Sequence, residues 1–270
     1  RMLYGRHLGL RGNVLRQLEE QDIAAMRKSD AGKKAIELKE AVDSIKAEIR
    51  SRKLLWPKAV WQFFPAESEG NTLHVLSSDR AARRASFEFP RQARENGLCL
   101  SDLVNPRGAA ADHFAAFVVT AGEGVREQAE IWKDQGQYLK SHLLQALALE
   151  TAEGYAEYLH AQIRGEWGFA DEPDVKMLSL FQARYRGKRY SFGYPACPRL
   201  DDQTPLFEIL KPAEIGVQLT DGFMMDPEAS VSALVFHHPE ASYFSVGASA
   251  IDQAADELEG VVPRVRRTGS

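Results

Sequence analysis

The stretch RYSFGYPACP, residues 189–198, sets two prolines, a glycine, two tyrosines and a cysteine behind an arginine. Pro195 and Pro198 lack an amide hydrogen and have a fixed φ, so this run cannot form a regular helix. The residue before each proline is pushed towards extended geometry, and Gly193 permits a conformation or a close approach that a Cβ would forbid. We therefore expect a stiff, extended strip with free carbonyl groups and few donors satisfied within it.

A strip of this kind has two possible roles. It can hydrogen-bond a flat polar ligand through its main chain, with Arg189 at one end to receive an anion. It can equally be a rigid loop that only connects two elements. Pocket residues and structural loops look alike in a sequence, so the residues alone leave both possibilities open.

The stretch also resembles a known signature. Its pattern Arg-x-x-x-Gly-Tyr-Pro-Ala-Cys-Pro is similar to that of the activation domain of cobalamin-dependent methionine synthase, a family that binds S-adenosylmethionine. The blocks FFPA (residues 63–66) and AEGYAEYLH (residues 152–160) resemble the same family, and the resemblance extends over nearly the whole chain. One departure is Ala183, because the family often has a glutamate six residues before the signature arginine.

Composition places the chain among ordinary globular proteins. Of its 270 residues 44% are hydrophobic and 27% are charged, and the net charge of -4 gives no reason to expect nucleic acid or an anionic membrane as a partner. No apolar run reaches the roughly 20 residues that span a bilayer. Cys99 and Cys197 form neither a disulfide framework nor a zinc pattern, so we expect a cytoplasmic protein without a metal.

Hydrophobic periodicity predicts a mixture of helices and strands. Helices are expected at about residues 13–26, 29–52, 125–164 and 202–210, with a further turn at 212–215. Strands are expected at residues 59–66, 72–76, 83–89, 114–122, 231–237 and 243–247, the first two as a hairpin. No glycine-rich fingerprint follows a strand and opens a helix, so a Rossmann-type site is disfavoured.

The resemblance implies an α+β fold consisting of a single domain. Its twisted antiparallel sheet and flanking helices would be curved like a shell, with an N-terminal helical extension. We expect residues 1–53 to form a helical connector and N-terminal helices, residues 54–260 the S-adenosylmethionine-binding activation domain, and residues 261–270 a flexible tail. Because the chain begins at Arg1, we also expect it to be part of a longer protein.

The residues themselves allow structural roles for the polar groups outside the signature. Asp102 ends an apolar run and suits a cap, a turn or an ion pair, and Glu153 could be a solvated helix acid. We expect ordinary structural roles for Glu157 and His160. A metal pair at residues 237 and 238 is disfavoured, because neighbouring strand residues diverge and no acid or cysteine accompanies them.

The resemblance implies a specific set of ligand contacts. Asp102 would receive the amino group of S-adenosylmethionine, Glu153 would face its pocket, and Arg189 would hold its carboxylate. The main chain of residues 193–197 would hold adenine and ribose, and the aromatic pair at 243 and 244 would contact the ligand near its sulfonium. The implied site residues are Asp102, Glu153, Arg189, Gly193, Tyr194, Pro195, Ala196, Cys197, Tyr243 and Phe244.

The function implied by the resemblance is reactivation of a methyltransferase. In the family, cob(I)alamin occasionally oxidises to inactive cob(II)alamin; flavodoxin then donates an electron and S-adenosylmethionine a methyl group. Cobalamin would be held by a neighbouring cobalamin-binding module of the same enzyme. The chain is too short for homocysteine and folate modules, so we expect no methionine synthesis by it alone. Two alternatives remain open: a free-standing S-adenosylmethionine-binding or corrinoid-partner protein, and a structural α+β domain.

Overall fold

The computed structural model describes residues 10, 12–20, 22–176, 179–180 and 182–247, and a six-stranded antiparallel sheet lies at its centre. In chain order the strands are β1 (Lys58–Glu69), β2 (Thr72–Leu76), β3 (Arg83–Glu88), β4 (Asp112–Thr120), β5 (Lys188–Tyr190), β6 (Gln218–Leu219), β7 (Met225–Asp226) and β8 (Ser230–Phe236). The sheet order is β3-β2-β1-β4-β8-β5, and β6 and β7 form a separate hairpin.

Six helices and two short 3-10 turns accompany the strands in the described part of the chain. The helices are α1 (Gly12–Glu19), α2 (Ile23–Met26), α3 (Asp30–Arg52), α4 (Val125–Asp134), α5 (Tyr138–Glu166) and α6 (Gln203–Leu210). The 3-10 turns are Leu100–Leu103 and Pro212–Ile215. The predicted helix at 202–210 and the turn at 212–215 are thereby confirmed.

The β1–β2 hairpin forms where the sequence predicts it. Glu69 pairs with Thr72 across a two-residue loop, and Gly70 takes a φ of +59° there. Two-residue hairpin loops favour positive φ because their twist then matches that of the strands. The predicted strand at residues 83–89 is also confirmed, as β3 pairs with β2.

Both faces of β4 are buried, as its unbroken apolar run predicts. Phe114 and Val118 belong to the main core, together with residues of β2, β3 and α6. Phe117 and Val119 point the other way and pack with Ala156 and other residues of α5. The sheet is therefore a middle layer between α5 on one side and α6 with its neighbouring loops on the other.

Helix α5 is apolar over most of its circumference because it packs against three partners. Leu143 and Leu147 join the cluster formed by α1, α2 and α3. Ala148 and Ala152 pack against α4, and residues near its C-terminal end, including Leu159, pack on the sheet. The prediction of a core helix is confirmed.

The predicted helix at residues 13–26 is divided in two. Helix α1 ends in a turn at Glu20, whose amide makes its last hydrogen bond. The Asp22 carboxylate then accepts the amide hydrogen of Ala25 at 3.0 Å and caps α2. A carboxylate competes with the backbone for such amides, which is why aspartate starts a new helix. The next helix begins as predicted, with the Ser29 hydroxyl accepting the amide of Gly32 at 3.0 Å.

The predicted helix at residues 125–164 is also interrupted. Gly136 takes a φ of +74°, and the amide of Gln137 donates to the carbonyl of Trp132 at 2.8 Å. A left-handed glycine of this kind ends a helix, because it satisfies the last carbonyl groups at little steric cost. The chain therefore turns between α4 and α5, and the two helices pack against each other.

The prediction of a last strand at residues 243–247 is wrong. This segment is irregular and pairs with none of the described strands of the sheet. Side chains and a loop fix it instead: the Tyr190 hydroxyl donates to the carbonyl of Ser242 at 2.6 Å, and Gln92 Nε2 donates to the carbonyl of Ser245 at 2.7 Å. The amide of Val246 donates to the carbonyl of Pro195 at 3.4 Å. Its aromatic, β-strand-like composition is therefore used for packing.

The α+β fold with an antiparallel sheet in a single domain is confirmed. The curved shell shape and the boundary near residue 53 stay predictions, although α3 packs closely on α5. The N-terminal connector falls mainly, and the tail at 261–270 entirely, outside the described residues. None of the helices in the described ranges has both the length and the apolar character needed to cross a bilayer.

Candidate functional site

The signature stretch folds into a compact loop, so the prediction of an extended strip with free carbonyls is wrong. Gly193, at a φ of +88°, donates its amide to the carbonyl of Cys197 at 2.9 Å, and Cys197 donates to the carbonyl of Tyr194 at 3.0 Å. The prolines restrict φ, but the left-handed glycine lets the chain reverse between them. Of the amides of residues 193–197, that of Ala196 makes no hydrogen bond in the described structure.

The second half of the loop is buried in the main core. Ala196 and Cys197 are 4% and 1% exposed. The Cys197 thiol donates to the carbonyl of Ser191 at 3.0 Å. Burial, with a smaller contribution from Asp202, raises the pKa of this thiol to about 12. Cys197 is therefore an uncharged, internally bonded thiol and not a nucleophile.

Arg189 lies on β5 and faces helix α5. It stands opposite Val235 of β8, a residue of the cluster that packs the sheet on α5. Its Nη1 donates to Glu157 Oε2 at 2.5 Å and lies 3.4 Å from His160 Nδ1. Burial lowers the pKa of the guanidinium, but Glu157, Tyr185 and Tyr243 together outweigh that effect and raise the pKa above its ordinary value. Arg189 is thus a charged group held in a largely desolvated place.

A row of polar residues on α5 forms the opposite wall of this site. Glu153, Glu157, His160 and Arg164 follow one another at steps of four, three and four residues, which places them on one helix face. Glu153 is exposed at the rim. Desolvation by surrounding protein raises the pKa of its carboxyl, against the attraction of Arg189.

The deeper end of the row is a buried polar network. Arg164 is 1% exposed, pairs with Asp171 and lies with its Cζ 3.8 Å from the Tyr185 ring centre. Burial and the nearby cations Arg189, Arg164 and Lys188 lower the pKa of His160 well below its usual value, so the ring is neutral. Three buried atoms of the network have no hydrogen-bond partner among the described residues: Glu157 Oε1, His160 Nε2 and Arg164 Nη1.

The aromatic pair near the C-terminus divides between core and surface. Phe244 is buried, with its ring centre 6.3 Å from that of Tyr190. Tyr243 is 38% exposed, and its ring centre lies 5.5 Å from that of the same tyrosine. The two side chains therefore point to different environments, as predicted, although they do so outside any strand.

Asp102 is paired with an arginine of the chain itself. Its two carboxylate oxygens receive Nη1 and Nη2 of Arg91 at 2.6 and 2.7 Å, and Oδ2 also accepts the amide of Cys99 at 3.1 Å. Asp102 thereby caps the 3-10 turn, which is the structural role that the residues alone allow. It makes no direct contact with the cluster around Arg189 in the described structure.

Glu153, Tyr194 and Tyr243 lie near enough to Arg189 for its charge to lower the pKa of each, against the larger effect of burial, so four of the predicted site residues are near one another. The other predicted loop residues are next to Tyr194 in the chain, and the Phe244 ring packs against that of Tyr190. Sequence reasoning missed Glu157, which is the ion partner of Arg189 and not an unremarkable helix acid. Its spacing of four from Glu153 places both acids on one face and could have revealed it.

His237 has an acid beside it that the sequence does not show. Its Nε2 lies 2.7 Å from Asp112 Oδ1, because β4 and β8 are neighbours in the sheet. Within the described ranges, no cluster of three or more histidine, cysteine, aspartate or glutamate side chains is suited to hold a metal ion.

A cleft of about 420 Å³ lies elsewhere, at the start of α4. Glu123, Arg126, His142 and Asp226 contribute polar groups to it, and none of the predicted site residues lines it. Arg126 is already paired with Asp226 at 2.8 Å. The cluster around Arg189, in contrast, keeps buried polar atoms without partners among the described residues.

Comparison with known proteins finds similar methionine synthases. The chain is 38% identical over 204 residues to a methionine synthase of Mycobacterium tuberculosis and 35% identical over 210 residues to one of Mycobacterium leprae. These alignments cover 69% and 72% of this chain but 17% of each relative, so the chain spans about a sixth of their length.

A solved structure is similar over almost the whole chain. The crystal structure of the MetH reactivation domain bound to AdoHcy matches with a TM-score of 0.82 and 29% identity, covering 96% of this chain and 80% of that one. The model of the family described as vitamin B12 dependent methionine synthase, activation domain, matches residues 14–259. This chain therefore belongs to the family of activation domains of vitamin B12-dependent methionine synthase.

Proposed function

We propose that the chain binds S-adenosylmethionine and S-adenosylhomocysteine and presents the methyl group of the former to reduced cobalamin, restoring the methylated cofactor. The observation that supports this most directly is the position of the signature arginine. Arg189 is charged and mostly buried, and it lies beside unpartnered atoms of Glu157 and His160. Buried polar atoms without partners are costly, so a ligand that supplies partners is favoured there.

The amino-acid end of the ligand suits this cluster. Arg189 would hold the carboxylate through a charge-assisted contact, which only a guanidinium can make with two parallel donors. The ammonium group would be received by Asp102, by Glu153 at the rim, or by both. Since Arg91 already neutralises Asp102, that carboxylate would have to share its oxygens with the ligand.

The nucleoside end suits the compact loop. The amides of Gly193, Tyr194 and Cys197 are used within the loop, whereas that of Ala196 has no acceptor in the described structure. Ala196 is therefore the main-chain donor that could recognise an adenine or ribose acceptor, and Pro195 and Tyr194 would supply carbonyl and ring contacts. Tyr243 would lie over the sulfonium, where an aromatic face attracts a cation.

The contribution of these residues is positioning, with no general acid or base required. They hold the ligand so that its methyl group points out of the site, which replaces a bimolecular encounter by a fixed approach. Reduced cobalamin, carried by a neighbouring module, would be the nucleophile that accepts the methyl group, and S-adenosylhomocysteine would be the leaving group. We infer that a flavodoxin-like protein supplies the electron for that reduction.

The first prediction concerns binding by Arg189. Calorimetric titration of the wild-type chain with S-adenosylhomocysteine should show saturable binding. Arg189→Ala should weaken it about ten- to hundredfold, because one charge-assisted contact is lost and the ligand carboxylate stays unpaired. Arg189→Lys should recover only part of the affinity. Arg107→Ala, at an exposed arginine outside the site, is the matched control and should bind like the wild type.

The results of these titrations distinguish a wrong function from a wrongly placed pocket. No heat and no thermal shift for the wild-type chain at millimolar ligand would refute the proposed function. Unchanged affinity in Arg189→Ala, with normal melting, would place the pocket elsewhere. Asp102→Asn is measured alongside: loss of affinity with normal melting supports its contact with the ammonium, and a fall in melting temperature alone assigns it to the cap with Arg91.

A further inference from the structure

We propose that Glu157 is a positioning residue, whose contact with Arg189 holds the guanidinium in the orientation that receives the ligand carboxylate. The inference rests on the proposed function, because it concerns how the same site binds S-adenosylhomocysteine. It assigns a role to a residue that neither the signature nor the implied ligand contacts include.

The contacts of the Glu157–Arg189 pair restrict where both side chains can lie. Glu157 Oε2 lies 2.5 Å from Arg189 Nη1, and the side chains are 27% and 18% exposed respectively. The Tyr185 hydroxyl donates to the same Oε2 at 3.4 Å. Glu157 projects from α5, whose backbone is fixed by packing on the sheet. The carboxylate is therefore held from both sides and offers Arg189 a fixed acceptor.

No other acid in the described structure makes this contact with Arg189. Arg164 is bonded to Asp171, and Lys188 Nζ donates to the carbonyls of Tyr185 and Gly187 at 2.7 and 3.0 Å. The ring of His160 is neutral at ordinary pH, so it neither repels nor anchors the guanidinium strongly. Without Glu157, Arg189 would face two other cations and would turn towards solvent.

Glu157 has two opposing effects on an anionic ligand. Its charge offsets part of the positive charge of Arg189, which by itself weakens the attraction for a carboxylate. Its fixed position restricts Arg189 to one rotamer, which strengthens binding because less side-chain entropy is lost when the ligand arrives. An isosteric amide removes the charge and keeps an acceptor, so it separates the two effects.

Calorimetry on the full chain with two probes tests the proposal. S-adenosylhomocysteine carries the amino-acid carboxylate, whereas methylthioadenosine lacks it. Glu157→Ala should weaken S-adenosylhomocysteine binding about tenfold and leave methylthioadenosine binding within about twofold of wild type. Glu157→Gln should stay within about threefold for both probes, since the amide oxygen still accepts from Arg189. Glu166→Ala, at an exposed acid of the same helix, is the control.

A double variant completes the test. If Glu157 acts through Arg189, Arg189→Ala combined with Glu157→Ala should bind no more weakly than Arg189→Ala alone. Equal losses for both probes in Glu157→Ala would overturn the proposal in favour of a general structural role. Wild-type affinity in Glu157→Ala, or fully additive losses in the double variant, would overturn it as well. Failure of the proposed function itself is distinct, because the wild-type chain would then not bind S-adenosylhomocysteine.

Discussion

At the scale of single residues, Gly187 determines how strand β5 meets its neighbour. It is buried at a φ of +74°, and a Cβ there would lie 2.7 Å from the carbonyl oxygen of Phe236. That distance is shorter than any ordinary contact, and the atom concerned belongs to the backbone of β8. Arg189 follows two residues later, so this close approach helps to fix the start of the strand that carries it.

Gly187→Ala should therefore destabilise the chain by about 2–4 kcal/mol, combining left-handed strain with a backbone clash. Gly108→Ala is the matched control, because Gly108 has a similar φ of +85° with open space around it. It should cost about 1–2 kcal/mol from strain alone. Urea unfolding measures the stability of both variants. Equal losses in the two would show that the close approach to Phe236 adds nothing to the cost of the substitution.

The individual site residues were only partly predictable from the sequence. The signature arginine and the glycine turn stand out because their residue types are rare in that combination. Glu157, the partner of Arg189, does not stand out. A glutamate on a helix is usually solvated, and the sequence does not show that a strand 32 residues later lies beside this one. The partner of Asp102 was equally hidden in the sequence, because Arg91 lies in an irregular segment that has no periodicity.

At the scale of elements, the segment at residues 242–247 shows why a strand-like composition misleads. Its aromatic residues fit a sheet, yet the edge strand β5 spans only three residues, and the segment is held by side chains instead. The helix breaks at Asp22 and Gly136 were visible as cap and turn residues, but apolar periodicity continues across them. Regular strands and long helices were predicted well because their periodicity is repeated many times.

Tyr190→Phe tests how the segment at 242–247 is held. The change removes the 2.6 Å hydrogen bond to the carbonyl of Ser242 and should cost about 0.5–1.5 kcal/mol. Because Tyr243 adjoins that carbonyl, S-adenosylhomocysteine binding should weaken too, by calorimetry. Tyr158→Phe, at an exposed tyrosine of α5, is the control and should change neither quantity. Lower stability with unaltered affinity would separate the segment from the site.

At the scale of the whole molecule, α5 connects every layer. One end packs on the N-terminal helices, the middle on α4, and the other end on the sheet beside Arg189. The sequence could predict this helix as a core element from its broad apolar stripe. It could not predict which partner covers each part, because that depends on contacts between distant segments. The same helix carries an acid, Glu150, close to Lys46 of α3.

Glu150 should make stability depend on pH. Burial, only partly offset by Lys46, raises the pKa of its carboxyl from 4.5 to about 7, and Oε1 has no hydrogen-bond partner in the described structure. Between these values the folded chain binds the proton more tightly than the unfolded chain, so stability falls as pH rises from about 4.5 to about 7.

Glu150→Gln removes this titration and should be more stable than wild type at pH 8, by about 1–3 kcal/mol, with the advantage shrinking towards pH 4. Urea unfolding across that range measures it, with Glu166→Gln on the exposed face of α5 as the control. A difference from wild type that does not vary with pH would mean that Glu150 ionises normally, with α3 and α5 packed less tightly around it.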